Sequence, residues 1–309
     1  MKAARVMSDG ESMKVLKAGV AGAGVFGGFH SRKYASLEGV ELAAIFDPDQ
    51  IRREALAGEL GAVGHDDLHT FFQGLDVVTV ATPAATHYEI AMAALKAGCA
   101  VYVEKPLTAT LEEADRLITT AARDGLVLAC GHQERVTFGA MGLLGLPEKP
   151  IALNSVRFGT PNMRSRDVSC VLDLMIHDLD LALQLTGEDA IAVEAEGEFD
   201  HVRAEVTFAG GLTAVFEASR IADARKRTMV AEFASGSVEI DFLAPSFVNT
   251  TPFRLDPGFA DTPTGRDPLG VSVSRFLAAV RGEGRPVATG EDGARALDLA
   301  LAVEQAADF

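Results

Sequence analysis

Val15-Leu16-Lys17-Ala18-Gly19-Val20-Ala21-Gly22-Ala23-Gly24-Val25-Phe26-Gly27 is an apolar run of strand type that ends in Gly22-x-Gly24-x-x-Gly27 and leads into a helix-compatible segment. Each glycine has a physical reason to be there. Gly22 allows a tight turn off the strand, Gly24 lets a pyrophosphate approach the backbone, and Gly27 lets the following helix lie close to the sheet. The free N–H groups of the helix's first turn then face the phosphates. In a chain with 30 glycines the spacing alone is weak evidence. Its place after a strand, with an acidic strand end following at the right distance, makes it a dinucleotide site. The residues expected to line it are Gly22, Gly24, Val25, Phe26 and Gly27.

That distance is set by the next strand, Glu41 to Phe46, which ends at Asp47, 25 residues beyond Gly22. An acid at about this separation accepts hydrogen bonds from the adenosine ribose. A carboxylate there repels a 2′-phosphate, so NAD is expected over NADP. Asp47 also suits a simple helix-capping role, and Arg52 and Arg53 keep NADP open as the lesser alternative. Further strand–helix units follow. Leu75 to Ala81 leads into Thr82-Pro83 and a helix from His87 to Lys96, and Ala100 to Val103 closes with Glu104-Lys105-Pro106. Thr110-x-x-Glu113 opens another helix as a capping box, and Leu126 to Cys130 is a further strand. Such alternation predicts a doubly wound, mostly parallel sheet over residues 1–131, with 1–12 as a loose tail and Met13 as a natural start. Ligands of such sheets bind at the carboxyl ends of the strands, where Gly24, Asp47, Thr82 and Lys105 fall.

From residue 132 to 309 the pattern changes. A strand from Ile151 to Phe158 and an apolar helix from Val171 to Thr186 precede strands at 192–198, 202–208, 212–218, 229–233 and 237–242. Gly210-Gly211 reads as a hairpin turn, Arg225-Lys226-Arg227 as a solvated one, and 244–270 as a long irregular excursion. Helices return at about 271–281 and 293–307. Strands grouped without intervening helices predict an α+β domain with an open, mostly antiparallel sheet.

Composition sets the limits. The chain of 309 residues carries a net charge of −16 and 48% apolar residues. That charge argues against nucleic acid or an anionic membrane as partner, and no apolar run reaches the length of a membrane span. Cys99, Cys130 and Cys170 are odd in number, widely spaced and in apolar contexts, so they read as reduced core thiols of a cytoplasmic protein. No metal-ligand spacing is present.

The helix from Val171 carries the candidate chemistry. At 100° per residue Asp173, His177, Asp180 and Gln184 share one stripe of an otherwise apolar, buried helix. Asp173 and His177 stand at i and i+4, where a carboxylate can orient an imidazole. A purely structural Asp–His pair is the plain alternative, as a surface lysine is for Lys105. Glu134 and Arg135 read most simply as an internal ion pair.

Taken together, Gly22-x-Gly24-x-x-Gly27, Ala81-Thr82-Pro83-x-x-x-His87, Glu104-Lys105-Pro106 and Asp173-x-x-x-His177 resemble the glucose–fructose oxidoreductase/inositol dehydrogenase family, Gfo/Idh/MocA. The resemblance implies a Rossmann domain followed by an open-sheet domain often used for oligomerisation, hence a homodimer or homotetramer. It implies a Lys105–Pro106 peptide that is frequently cis, and NAD(P) held also by Thr82, Pro83, His87, Glu104 and Lys105. By position, Lys105, Asp173 and His177 correspond to the family's catalytic lysine, aspartate and histidine. In that role His177 is the base, held by Asp173, and Lys105 stabilises alkoxide character on the substrate. The reaction implied is hydride transfer between nicotinamide and a secondary alcohol carbon of a sugar or cyclitol. Gly131-His132-x-Glu134-Arg135 and Asp167-Val-x-x-Val171-Leu-Asp-Leu-Met-Ile-His-Asp-Leu-Asp180 resemble a branch acting on nucleotide sugars such as UDP-N-acetylglucosamine. The branch usually continues after Glu-Arg with Phe-Asn-Pro, and this chain has Val136-Thr137-Phe138 instead. Arg164, Arg166 and Asp180 are the candidate substrate contacts, two of them guanidinium forks suited to a diphosphate. A free aldose or inositol is the alternative substrate. A non-catalytic NAD-binding regulator is the alternative of another class, though such proteins tend to lose the lysine or the histidine.

Overall fold

The computed structural model describes residues 14–161 and 167–309. The expectations placed on residues 1–13, and on Arg164 and Arg166, lie outside the described residues. The first half builds β1 (Leu16–Ala21), α1 (Val25–Ser36), β2 (Val40–Phe46), α2 (Gln50–Leu60), β3 (Val63–His65) and the short α3 (Leu68–Phe71). It continues with β4 (Val77–Val80), α4 (His87–Lys96), β5 (Ala100–Val103), α5 (Leu111–Asp124) and β6 (Leu128–Cys130). The six strands form one parallel sheet in the order β3-β2-β1-β4-β5-β6. Strands β4 and β5 are buried along their whole length, as central parallel strands covered on both faces must be. The order reverses beside β1, so the glycine turn lies at the switch point where such sheets bind ligands.

The glycines fit their predicted reasons. Gly22 has φ +100°, and a Cβ there would meet the Ala81 carbonyl oxygen at 2.5 Å. A Cβ on Gly27 would lie 1.7 Å from the Gly22 carbonyl oxygen. Gly24, by contrast, has open space where its side chain would be. The box at Thr110 forms with one change: Thr110 Oγ1 accepts from Glu113 N, while the Glu113 carboxylate accepts from Ala109 N.

The second half builds α6 (Glu134–Met141), β7 (Ala152–Phe158), and a π-helical turn (Val171–Met175) that runs straight into α7 (Ile176–Thr186). Then come β8 (Ala190–Glu198), β9 (His201–Phe208), β10 (Thr213–Ser219), β11 (Lys226–Phe233), β12 (Gly236–Asp241) and β13 (Ser246–Asn249). Their order is β13-β12-β11-β7-β10-β9-β8, with β7 and β10 parallel and the other neighbours antiparallel. The hairpin at Gly210-Gly211 is present, closed by Phe208 N to Leu212 O at 2.8 Å. The region 244–270 is less irregular than expected: it holds β13, α8 (Pro263–Arg266) and the start of α9 (Pro268–Val280). Lys226 and Arg227 are not a turn but the first residues of β11.

The chain finally returns to the first sheet. Val273, Phe276 and Leu277 of α9 pack into one cluster with Leu16, Tyr34 and Tyr102, and the Tyr102 hydroxyl pairs with Ser272 at 3.0 Å. The last helix, α10 (Gly290–Ala306), lies against both α5 and α7. A cut at 131/132 separates the two sheets but assigns α9 to the wrong one, because its apolar face packs beside β1 and β5. Cys99, Cys130 and Cys170 are free and buried. Among the described residues no helix is long and apolar enough to cross a membrane, and no His, Cys, Asp and Glu cluster could hold a metal.

These spacings give a paired expectation. Gly27→Ala forces α1 away from the Gly22 carbonyl and should cost on the order of 3 kcal/mol. Gly24→Ala should leave the thermal midpoint near wild type and weaken NADH binding. Differential scanning calorimetry with NADH titration separates the two effects.

Candidate active site

The site forms where the carboxyl ends of β1, β2, β4 and β5 meet the π turn before α7. At the cofactor end, Gly24, Val25 and Phe26 are exposed on the first turn of α1. Asp47 is 4% exposed, and its carboxylate accepts from Ala23 N at 2.7 Å and Asp49 N at 2.8 Å. Arg52 reaches the same carboxylate at 3.1 Å, and Arg53 donates to the Asp47 carbonyl at 2.7 Å. The carboxylate is thus held beside the glycine turn. Open space at Gly24, the exposed N–H groups of α1 and the anchored Asp47 all suit a dinucleotide with free ribose hydroxyls.

Two residues expected at the cofactor serve it differently. His87 is 2% exposed, with Nδ1 at 2.7 Å from the Pro106 carbonyl and Nε2 at 3.0 Å from the Thr82 carbonyl. Its ring therefore braces the two strand ends and leaves no nitrogen for a ligand. Glu104 is 7% exposed and joined to His30 at 2.7 Å and Gln133 at 2.9 Å. Thr82 is half-buried and Pro83 exposed. Ala84 N, two residues past Thr82, donates to Asp167 at 3.0 Å, tying this loop to the segment before the π turn.

Lys105, in a cis Lys105–Pro106 peptide, points across to the second half of the chain. Its ammonium donates to the Asp173 carbonyl at 2.6 Å and lies 3.3 Å from the Asp173 carboxylate. Asp173 also faces Arg220 at 3.8 Å. Here the helical-stripe reading needs correction. Val171–Met175 is a π turn, started by Ser169 Oγ accepting from Val171 N and Leu172 N. The Asp173 carboxylate on this turn is engaged by Lys105 and faces Arg220, and among the described residues no hydrogen bond joins it to the His177 imidazole. His177 is half-buried, and its Nδ1 has no hydrogen-bond partner among the described residues. Burial first, then the charges of Lys105, Arg157, His132 and Arg227, hold its pKa well below 6.5. The ring is therefore neutral at neutral pH.

Asp180 is a second correction. It is 1% exposed beneath the site, where both its oxygens bind Arg135, at 2.8 Å from Nε and 2.5 Å from Nη2, and His132 lies 3.6 Å away. It does not face a substrate. Arg135 also meets Asp292 at 3.0 Å. Glu134 pairs instead with Arg157 at 3.0 Å, and Arg157 is bidentate to Asp178 at 2.9 and 2.8 Å. The expected Glu134–Arg135 pair is therefore replaced by two networks reaching distant helices. Arg157, Asp178, Arg220 and His132 are structural parts of the site that spacing alone did not reveal. Among them, His132 and Asp178 lie within the quoted motifs, whereas Arg157 and Arg220 carried no sequence signal.

Residues 16–132 match the model of the oxidoreductase family with an NAD-binding Rossmann fold, and residues 157–239 match the GFO/IDH/MocA C-terminal domain. The chain is 34% identical to UDP-N-acetylglucosamine 3-dehydrogenase of Acidithiobacillus ferrooxidans, over 95% of this chain and 97% of that protein. This chain belongs to the GFO/IDH/MocA family of NAD-binding oxidoreductases. A solved structure of the same Acidithiobacillus ferrooxidans enzyme superposes with a TM-score of 0.86 at 33% identity, covering 94% of this chain and 97% of that one. Myo-inositol 2-dehydrogenase of Thermotoga maritima is 26% identical over 94% of this chain and 96% of that protein. The family's two-sheet architecture is the one described above.

Burial depresses the pKa of His87, His132 and His177 alike. An unfolded chain takes up protons at these rings as pH falls below about 6.5, and the folded chain does so only at lower pH. Their contribution is therefore complete above that pH and lost as pH falls through it. The thermal midpoint should drop between pH 7 and 5.5, and the drop should be smaller in His132→Asn.

Proposed function

We propose that this family member oxidises a secondary hydroxyl of a sugar with NAD, and that its substrate class is a nucleotide sugar such as UDP-N-acetylglucosamine. The observation that carries the redox role is the meeting of Lys105 with Asp173 beside a neutral His177, at the strand ends that flank the glycine turn. The identity to a UDP-N-acetylglucosamine 3-dehydrogenase over nearly the whole chain supports the substrate class. The weaker likeness to an inositol dehydrogenase keeps a cyclitol as the second reading.

In this reading NAD supplies the hydride acceptor, held by Gly22, Gly24, Gly27 and Asp47. Neutral His177 takes the hydroxyl proton at Nε2 or Nδ1 as the carbon–hydrogen bond is given up. Lys105, steered by the Asp173 carbonyl and carboxylate, stabilises negative charge growing on the substrate oxygen. Asp173 is the positioning residue for Lys105. The free buried thiols agree with a cytoplasmic setting. Half-exposed Val215 and Val230, which flank Asn154 across the outer face of the second sheet, with Val156 two residues further along β7, agree with a homo-oligomer.

UDP-sugars, free aldoses and inositols should be assayed with NAD⁺, trapping the keto product with an amine donor and an aminotransferase. Robust turnover of a free sugar or cyclitol, with no response to UDP-sugars under trapping, overturns the substrate class. Lys105→Ala and His177→Ala should each lower turnover by about 10²- to 10⁴-fold with NADH affinity nearly unchanged. Near-normal turnover in His177→Ala places the base elsewhere. The acid limb of kcat/KM should lie below pH 6.5 in the wild type, because protonating the base stops the reaction.

Calorimetric titration should show NADH binding more tightly than NADPH. Asp47→Ala should weaken NADH and narrow that preference. Tighter NADPH binding by the wild type contradicts the assignment of Asp47 to the ribose.

A further inference from the structure

Arg227 is the second residue of β11 and stands in register opposite Arg157 of β7. Neighbours in register share a face of the sheet, and Arg157 uses that face to bind Asp178 on α7. Arg227 therefore points the same way, toward the helix that carries His177, and its charge acts on the His177 ring. Its backbone is fixed there by Phe242 N donating to its carbonyl at 2.9 Å.

The two guanidinium groups differ in what satisfies them. Arg157 is fully buried, lies 5.5 Å over the Phe242 ring, and takes both the Asp178 carboxylate and Glu134. Arg135 has Asp180 and Asp292, and Arg220 has Asp200. Among the described residues Arg227 pairs with no carboxylate, and its buried Nε has no acceptor. The nearby acids Glu134 and Asp178 offset part of its charge, but their hydrogen bonds go to Arg157. A half-buried guanidinium of this kind is costly to keep without an anion to complete it. In a chain of net charge −16, a cation left open beside the reacting groups is unusual.

We propose that Arg227 is a specificity residue that receives an anionic oxygen group of the substrate, a phosphate or a carboxylate carried on the sugar. Its planar fork offers two parallel N–H donors to such a group. Glu134 and Asp178 work indirectly: by holding Arg157 they keep it from closing over the same space. The inference rests on the sugar-oxidising reading above and names which part of that sugar the second sheet grips.

The test is titration of the NADH-loaded protein with UDP, inorganic pyrophosphate, D-glucuronate and neutral N-acetylglucosamine. Wild type should bind at least one of the anions. Arg227→Gln should weaken that anion by about 10- to 100-fold, the loss of one charged hydrogen-bonded contact. Arg227→Lys should restore part of it, and N-acetylglucosamine affinity, NADH affinity and thermal midpoint should stay near wild type. A loss confined to UDP and pyrophosphate assigns a phosphate, and one confined to glucuronate assigns a carboxylate. Unchanged anion affinity in Arg227→Gln, or no anion binding by the wild type, overturns the proposal. An equal loss of neutral and charged ligands does so too, since that marks a structural role. Anion affinities are readable without turnover, so a failure to oxidise any sugar would count against the sugar reading alone.

Discussion

The contact on which the site depends is the ammonium of Lys105 against the carbonyl and carboxylate of Asp173. One partner ends a strand of the parallel sheet, and the other sits on the π turn that starts α7. Neither half of the chain holds both groups. The two sheets must therefore dock in one orientation, and the surrounding structure fixes it. The bridge from Ala84 N to Asp167 and the return of α9 to β1 and β5 bind the halves on either side of the cleft. In the proposed reaction, groups held this way need little reorganisation when the substrate arrives.

Beneath that contact lie two buried ion networks, Arg157 with Asp178 and Glu134, and Arg135 with Asp180 and Asp292. Burying such groups costs several kcal/mol per ion before attraction and hydrogen bonds offset it, so their net stabilisation is small. Their geometric effect is larger. Truncating one member leaves a partner buried and unpaired, at a cost of about 3–5 kcal/mol. α7 can therefore hardly rotate without breaking a bidentate pair at Asp178 or Asp180. Burial first, and then charges that include Arg157 of this framework, lower the proton affinity of His177, so the packing that positions the helix also bears on the protonation state of its imidazole.

The positions of the first sheet were legible because local chemistry dictates them. Gly22, Gly24 and Gly27 answer to backbone geometry, Asp47 follows from the length of one strand–helix–strand unit, and alternating apolar runs mark the strands. The short β3 and β13 escaped notice, since three or four residues at a sheet edge carry too little pattern to stand out. Lys105, Asp173 and His177 were recognisable from their motifs; the strand-end rule placed only Lys105, and the resemblance to the family implied its meeting with the other two.

What the amino-acid sequence determined by itself was which residues are present at which strand ends and on which helix. The tertiary structure alone decided how they are paired. Periodicity assigned Asp173 to His177, whereas the docking of the two sheets brought Lys105 to its carbonyl and carboxylate. Proximity in sequence assigned Glu134 to Arg135, whereas the folded chain gave each a partner on another element. Asp180 sat on the predicted stripe yet turned inward, because Arg135 and His132 meet it there. A buried charge takes the partner that desolvation leaves within reach. That partner is set by the packing of distant segments, which no local pattern records.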